Sequence, residues 1–191
     1  KQLLAAHLKS HGILLWEYAN GIDSSVVEPN PAQAKGIGNS TTMPTDALSI
    51  EDMKPVLLKL CESVCARLRK AHMYAGTITV EIKYSNFHSC SHQIALPSPD
   101  YSSTVIYETS LSLLQELWNG TPVRLLGVRA TRLTDETAPI QLDLFSYQEH
   151  TGQTEKNRKL DKTIDAIRRK YGEGAIMRGS LLSHTDTHSS N

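Results

Sequence analysis

The sequence predicts an α+β fold: a four-stranded, antiparallel-rich sheet with two helices on one face, and a further helix towards each end of the chain. Three observations predict it. Between residues 35 and 133 the hydrophobic spacing runs strand, helix, strand, strand, helix, strand, an order that lets two helices pack on one sheet face. In the clearest strand Ile78, Val80, Ile82 and Tyr84 alternate with Thr77, Thr79, Glu81 and Lys83, the pattern of a strand buried on one side only. And 191 residues at 39% hydrophobic content suffice for one core of ordinary size with appendages.

In chain order, residues 3–20 read as a helix carrying Leu3, Leu4, His7 and Leu8 and, after a break expected at Gly12, Leu14, Leu15, Trp16 and Ala19; Asn20-Gly21 is a stop signal. That apolar face finds too little partner downstream, so it is expected to pack on residues preceding Lys1, in a longer parent protein. Residues 26–34 hold two prolines and no period, and read as an extended linker. Lys35-Gly36-Ile37-Gly38-Asn39-Ser40-Thr41-Thr42-Met43 is a small-residue strand whose glycines suit either a bulged edge or the close approach of another backbone. Ser49 and Asp52 open a helix running to about His72, with Ile50, Met53, Leu57, Leu60, Val64, Leu68 and Ala71 on one face; Pro55 places its regular part from about Asp52.

After the strand 77–84 a polar connection, 85–91, leads to a partner strand through Ile94 and Leu96, which Pro97, Pro99 and Asp100 should end. A second helix starts near Ser103, with Ile106, Leu113, Leu114, Leu117 and Trp118 inward and Gly120 as its stop. The last long strand, 123–133, carries Arg124, Arg129 and Arg132. The composition then turns polar between Phe145 and Thr154. Leu160, Ile164, Ile167 and Tyr171 next mark one stripe of a helix over 155–171 whose other faces carry Lys156, Arg158, Lys159, Lys162, Arg168, Arg169 and Lys170. A short extended piece over 175–182 and a polar, disordered tail over 183–191 are expected to close the chain.

Charge excludes a uniformly basic nucleic-acid binder: twenty Lys and Arg balance twenty Asp and Glu. The distribution is uneven, with ten basic against thirteen acidic residues over 27–150 and eight against five over 151–191, so any polyanion must be met by local patches. No apolar run approaches the roughly 18 residues of a membrane span, and no signal peptide is expected. Three cysteines, two of them on one helix, point to a reducing cytosol rather than a disulfide scaffold. Cys61 and Cys65 lack a matching pair of ligands, and His88, Cys90 and His92 share one side of a strand but lack a fourth. No Ser/His/Asp set, phosphate loop or paired acid has supporting context, so neither a catalytic residue nor a metal site is expected.

The stretch Gln141-Leu142-Asp143-Leu144-Phe145 stands apart. Extended, it points Leu142 and Leu144 one way and Gln141, Asp143 and Phe145 the other. It reads either as a final edge strand with an aromatic plug or as a peptide with an aromatic anchor and a glutamine, suited to a groove on a partner protein.

Four pieces in order resemble the Y-family translesion DNA polymerases of bacteria, UmuC-like and DinB-like. Leu14-Leu15-Trp16-Glu17-Tyr18-Ala19-Asn20-Gly21-Ile22-Asp23 resembles the end of their thumb domain. Lys35-Gly36-Ile37-Gly38-Asn39-Ser40-Thr41-Thr42 and Arg124-Leu125-Leu126-Gly127-Val128-Arg129 resemble the first and last strands of their little finger domain. Residues 141–145 resemble the pentapeptide that docks on the replication sliding clamp, and the stretch from Lys159 to Leu182 is similar to the C-terminal extension of Gram-positive members.

The resemblance implies a division into the end of a thumb (1–25), a linker (26–34), a little finger (35–150) and a C-terminal extension (151–191). It implies a cytoplasmic DNA-repair role in which the finger lies on double-stranded template–primer DNA through Lys35, Gly36, Gly38, Ser40, Thr42, Lys83, Arg129 and Arg132. Gln141, Leu142, Asp143, Leu144 and Phe145 would bind the sliding clamp, and the helix 155–171 would be free to meet other repair proteins. The family's catalytic carboxylates and magnesium belong to a palm domain with no counterpart here, so the fragment is expected to be non-catalytic. One departure concerns grip: Asn39 and Ser40 stand where relatives often carry basic residues. Two other readings compete. One is a non-catalytic clamp-binding or DNA-repair scaffold; the other is a sheet-based RNA binder, against which the strands lack stacking aromatics.

Overall fold

The computed structural model describes the backbone of residues 1–27, 34–135 and 147–184, and their side chains except for 147–154 and 182–184. Two compact units divide the chain, residues 1–33 and 34–191. Most of the linker expected over 26–34 and the whole of 141–145 lie outside the described residues.

In the first unit, α1 (Gln2–Ala19) is two helical segments joined at Lys9, whose φ of 53° and ψ of −132° are not helical. The break falls there and not at Gly12. Gly12 is instead the point where the second segment crosses the first, since a Cβ on it would lie 2.1 Å from the Leu4 carbonyl oxygen. Only glycine permits that approach. The reversal brings Lys1 Nζ within 3.2 Å of Glu17 and 4.8 Å over the Trp16 ring. Asn20 and Gly21 (φ 71°) end the helix as their residue types require.

The second unit is built on β1 (Gly36–Ala47), β2 (Met73–Tyr84), β3 (Ser89–Asp100) and β4 (Val123–Asp135), all antiparallel neighbours in the order β1-β4-β2-β3. The helices α2 (Ile50–Lys70) and α3 (Ser103–Leu117) cover one face. Val80 pairs with Val128, Ile82 with Leu126 and Ile78 with Ala130, all buried beneath Met53, Leu57, Val64, Leu68, Ile106 and Leu114. The expected α+β sandwich of one sheet and two helices is thus realised, with β1 as a bulged edge strand whose register shifts between Thr42 and Ala47.

Three boundaries differ from expectation. Helix α2 begins at Ile50, because Ser49 and Asp52 form a reciprocal capping box: Ser49 Oγ accepts from the Asp52 N–H and the Asp52 carboxylate accepts from the Ser49 N–H at 3.0 Å. Pro55 therefore sits in the second turn. Strand β3 runs through Pro97 and Pro99 to Asp100, where the register against β2 shifts between Ala75 and Thr77. It is the other edge strand, so the missing N–H groups deprive no neighbour. Helix α3 ends at Leu117, with Trp118 as its C-cap, ahead of the left-handed Gly120 (φ 89°).

The C-terminal helix α4 (Tyr147–Tyr171) starts eight residues before the expected 155 and continues into 3-10 turns at Glu173–Ala175 and Gly179–His184, where an extended piece was expected. Its apolar stripe is not a fully buried face, for Leu160 and Tyr171 are exposed and Ile164 and Ile167 are only half-buried. The helix docks by charge. Asp161, buried, accepts a hydrogen bond from the Ser103 N–H at 2.8 Å and so caps α3, whose own N-cap Ser102 makes no side-chain bond. Arg69 of α2, also buried, meets Asp165 at 2.5 and 2.9 Å and Asp161 at 3.5 Å. Arg158 reaches Asp100 (3.1 Å), and Arg168 and Arg178 share Glu62 (3.0 and 2.9 Å). Leu181, behind these pairs, is buried.

Cys61 and Cys65 lie fully buried on α2, and burial pushes the Cys61 thiol up to about 12 and the Cys65 thiol well above its ordinary 9.0. The protonated thiol is the form the fold favours, so this contribution to stability is whole below pH 9 and is lost as the pH climbs towards 12. Native thiol labelling is expected to modify the half-exposed Cys90 first, with Cys61 and Cys65 reacting only on unfolding. Fast labelling of all three would show that α2 opens locally.

Candidate nucleic-acid interface

Helices α2 and α3 both pack on one face of the sheet, and strict alternation fixes what stands on the other. Thr77, Thr79, Glu81 and Lys83 of β2 lie beside Thr131, Arg129, Gly127 and Leu125 of β4. Those in turn lie beside Gly36, Gly38, Ser40 and Thr42 of β1. On the other flank β3 adds Ser89, Ser91, Gln93 and Ala95. Apart from Thr77, which is buried, the result is a surface of hydroxyls and glycines with few charges: Lys83 and Arg129 against Glu81. On adjacent strands and four residues apart, Lys83 and Arg129 are separated by roughly 14 Å.

Gly36, Gly38 and Gly127 keep this face low. A Cβ on Gly38 would meet the Arg129 side chain at 3.2 Å, and one on Gly127 would meet Ser40 Cβ at 3.2 Å. Backbone groups also point outward along the β1 edge. The Gly38 carbonyl accepts from Arg67 Nη1 at 2.8 Å, a bond from α2 round the rim of the sheet. In an antiparallel ladder a residue whose carbonyl points away from its neighbour points its N–H away too, and this recurs at every second position. The N–H groups of Gly36, Gly38, Ser40 and Thr42 are therefore presented at the edge.

Of the eight residues the sequence assigned to DNA, six stand on this face: Gly36, Gly38, Ser40, Thr42, Lys83 and Arg129. Lys35 is exposed in the bend just before β1. Arg132 is exposed but breaks the alternation with a φ of 49°, opposite Gly76, and stands off the run of odd-numbered residues. Asn39 points to the helix side, where its Nδ2 donates to Ser63 Oγ at 3.1 Å, so of the two positions that depart from basic only Ser40 belongs to the open face. Sequence reasoning missed Thr79, Gly127 and Thr131, which the alternation around Arg129 and Lys83 was sufficient to find.

The other candidate ligands do not converge. His92 lies 3.5 Å from Glu116 of α3, and His88 stacks on Tyr84 with ring centroids 6.4 Å apart. Among the described residues no group of three or more His, Cys, Asp or Glu side chains could hold a metal ion. Nor is any helix among them long and apolar enough to cross a membrane.

Residues 34–144 match the impB/mucB/samB family C-terminal domain. The chain is 39% identical over 180 residues to DNA polymerase IV of Clostridium acetobutylicum, covering 94% of this chain and 44% of that protein. It is 35% identical over 178 residues to DNA polymerase IV 2 of Halalkalibacterium halodurans, covering 91% and 42%. It thus spans less than half the length of the curated relatives it matches. Among solved structures, the complex of the beta-clamp processivity factor and the little finger domain of PolIV is similar at a TM-score of 0.43 and 21% identity, covering 57% of this chain and 97% of that one. The post-insertion binary complex of Dbh DNA polymerase is similar at a TM-score of 0.48 and 21% identity, covering 66% and 36%.

Proposed function

Because the chain belongs to the impB/mucB/samB family through its C-terminal domain, we propose that it is the DNA-holding little finger region of a bacterial Y-family translesion polymerase. The observation that carries this reading is the sheet face opposite α2 and α3, which carries hydroxyls and the two cations Lys83 and Arg129 beside a β1 edge whose N–H groups point outward. Such groups bond phosphate oxygens and do not read base edges, so they position a duplex of any sequence. That suits an enzyme that copies damaged templates in the cytoplasm. Lys35 and Arg132 add charge at the margin. Bond formation, and the magnesium it uses, we assign to carboxylates of the parent protein outside these residues. Residues 141–145 we assign to the sliding clamp.

Duplex binding by the chain, followed by fluorescence anisotropy at rising salt, tests the reading. The double change Lys83→Ala, Arg129→Ala is expected to weaken binding equally for all sequences and to flatten the log–log salt slope by about 2, close to 0.9 for each lost phosphate contact. An unchanged slope, or an effect that varies with base sequence, would show the face to be misassigned. The same preparation, given magnesium and nucleotides, is expected to extend no primer.

A further inference from the structure

On the helix side of the second unit, a cleft of about 840 Å³ lies between the end of α2, Tyr101 and α4. Its walls are basic in a chain whose formal charge is zero. Two of its five cations are structural: Arg69 is held by Asp165 and Arg168 by Glu62, at 2.5 to 3.0 Å. Of the other three, Lys162 lies 5.9 Å over the Tyr101 ring, while Lys70 from one wall and Arg169 from the other are exposed. Against them stand two carboxylates, Asp165, already engaged by Arg69, and Glu173.

We propose that this cleft is a second anion site, for a ligand carrying consecutive phosphate groups. The argument is one of convergence. Exposed lysines and arginines on a convex surface keep apart and remain hydrated, whereas here they approach one concavity from two separate helices. Their mutual repulsion is tolerated because the part-buried pairs Arg69–Asp165 and Arg168–Glu62 fix the walls. Cations on opposite walls suit a ligand whose negative charges repeat along its length, and Lys and Arg are the usual partners of phosphate oxygens. A single carboxylate would span too little to reach both Lys70 and Arg169. The α2–α3 layer separates the cleft from Arg129 and Lys83, so occupying one site leaves the other open. Two sources share this chemistry: a nucleic-acid strand passing behind the finger and a free polyphosphate.

The test is calorimetric titration of the chain with sodium tripolyphosphate, in the Lys83→Ala, Arg129→Ala background so that the sheet face contributes little. Saturable binding is expected, weakened roughly threefold to tenfold by adding Lys70→Ala and Arg169→Ala. Both side chains are exposed, and an unaltered circular dichroism melt will show that the fold is kept. A short oligothymidylate that competes with tripolyphosphate identifies a strand as the source; failure to compete identifies free polyphosphate. Absence of saturable binding, or binding indifferent to Lys70 and Arg169, overturns the proposal. The outcome is separable from that of the sheet face, because the cleft variants on the unaltered sheet are expected to bind duplex with an unchanged salt slope.

Discussion

Arg69→Ala is expected to destabilise the second unit by about 3 kcal/mol or more, lowering its melting temperature by on the order of 10 °C. Arg69 keeps only 8% of its side chain exposed and pairs with Asp165 while it also meets Asp161, itself 5% exposed. Burial alone would discourage its charge, but the hydrogen bonds and charge of Asp165 outweigh this and raise its affinity for the proton. Removing the guanidinium leaves Asp165 without this ion pair and Asp161 with Arg178 at 3.7 Å, and stripping one partner is the costly way to break a buried pair. The chain has one escape, which is to release α4. Release would uncap α3 at Ser103 and expose Leu181, so the loss is bounded by the docking energy of the C-terminal segment and not avoided. Urea unfolding and limited proteolysis report the two parts: an earlier midpoint, and cleavage within residues 155–184. If the midpoint moves by less than about 0.5 kcal/mol, the range of ordinary surface changes, and the segment stays protected, the ion-pair network is decoration on a helix held by something else.

Ion-pair docking is also the part of the fold that the sequence hid. Strands β2 and β4 were legible because half-burial writes itself as alternation, and α2 because Met53, Leu57, Leu60, Val64 and Leu68 repeat with the helical period. The same rule misled at α4. Its apolar stripe, Leu160 and Tyr171 included, looks like a buried face, while the residues that make the contact, Asp161, Asp165, Arg158 and Arg168, read as a solvated one. Periodicity detects transfer of apolar groups from water and is blind to a charge whose partner lies about a hundred residues away. Pro97 and Pro99 misled for a related reason. A proline forbids a central strand but not an edge, and edge position is a property of the whole sheet, which no local window contains.

The open face was legible to the same degree as its strands. Once β1, β2 and β4 are in register, Gly36, Gly38, Ser40, Thr42, Lys83 and Arg129 fall together without further assumption. Arg132 falls away because its positive φ interrupts the alternation. That could not be read from its neighbours Thr131 and Leu133, which continue the pattern of a strand.

The largest effect on a partner is expected from Phe145. Residues 141–145 lie in sequence between the end of β4 at Asp135 and the start of α4 at Tyr147, both in one compact unit. In the proposed complex Leu144 and Phe145 fill an apolar pocket of the bacterial clamp, Leu142 rests at its mouth, and the Gln141 amide bonds in a small polar site. Short peptides lose much of their contact energy to ordering, so the affinity is expected near micromolar, about −8 kcal/mol. Buried aromatics dominate such interfaces, and Phe145→Ala should cost about 2 kcal/mol or more, a loss of at least some thirtyfold in titration against clamp. Asp143→Ala, on an outward-pointing side chain, should be tolerated. The rival is that Leu142 and Leu144 belong to the finger's own core as a last edge strand. The double change Leu144→Ala, Phe145→Ala separates the two. A clamp peptide gives a chain that melts as before and no longer binds clamp. A core strand gives a melting temperature lowered by several degrees, since buried apolar groups have been lost. Lost stability with clamp binding retained would sink the assignment.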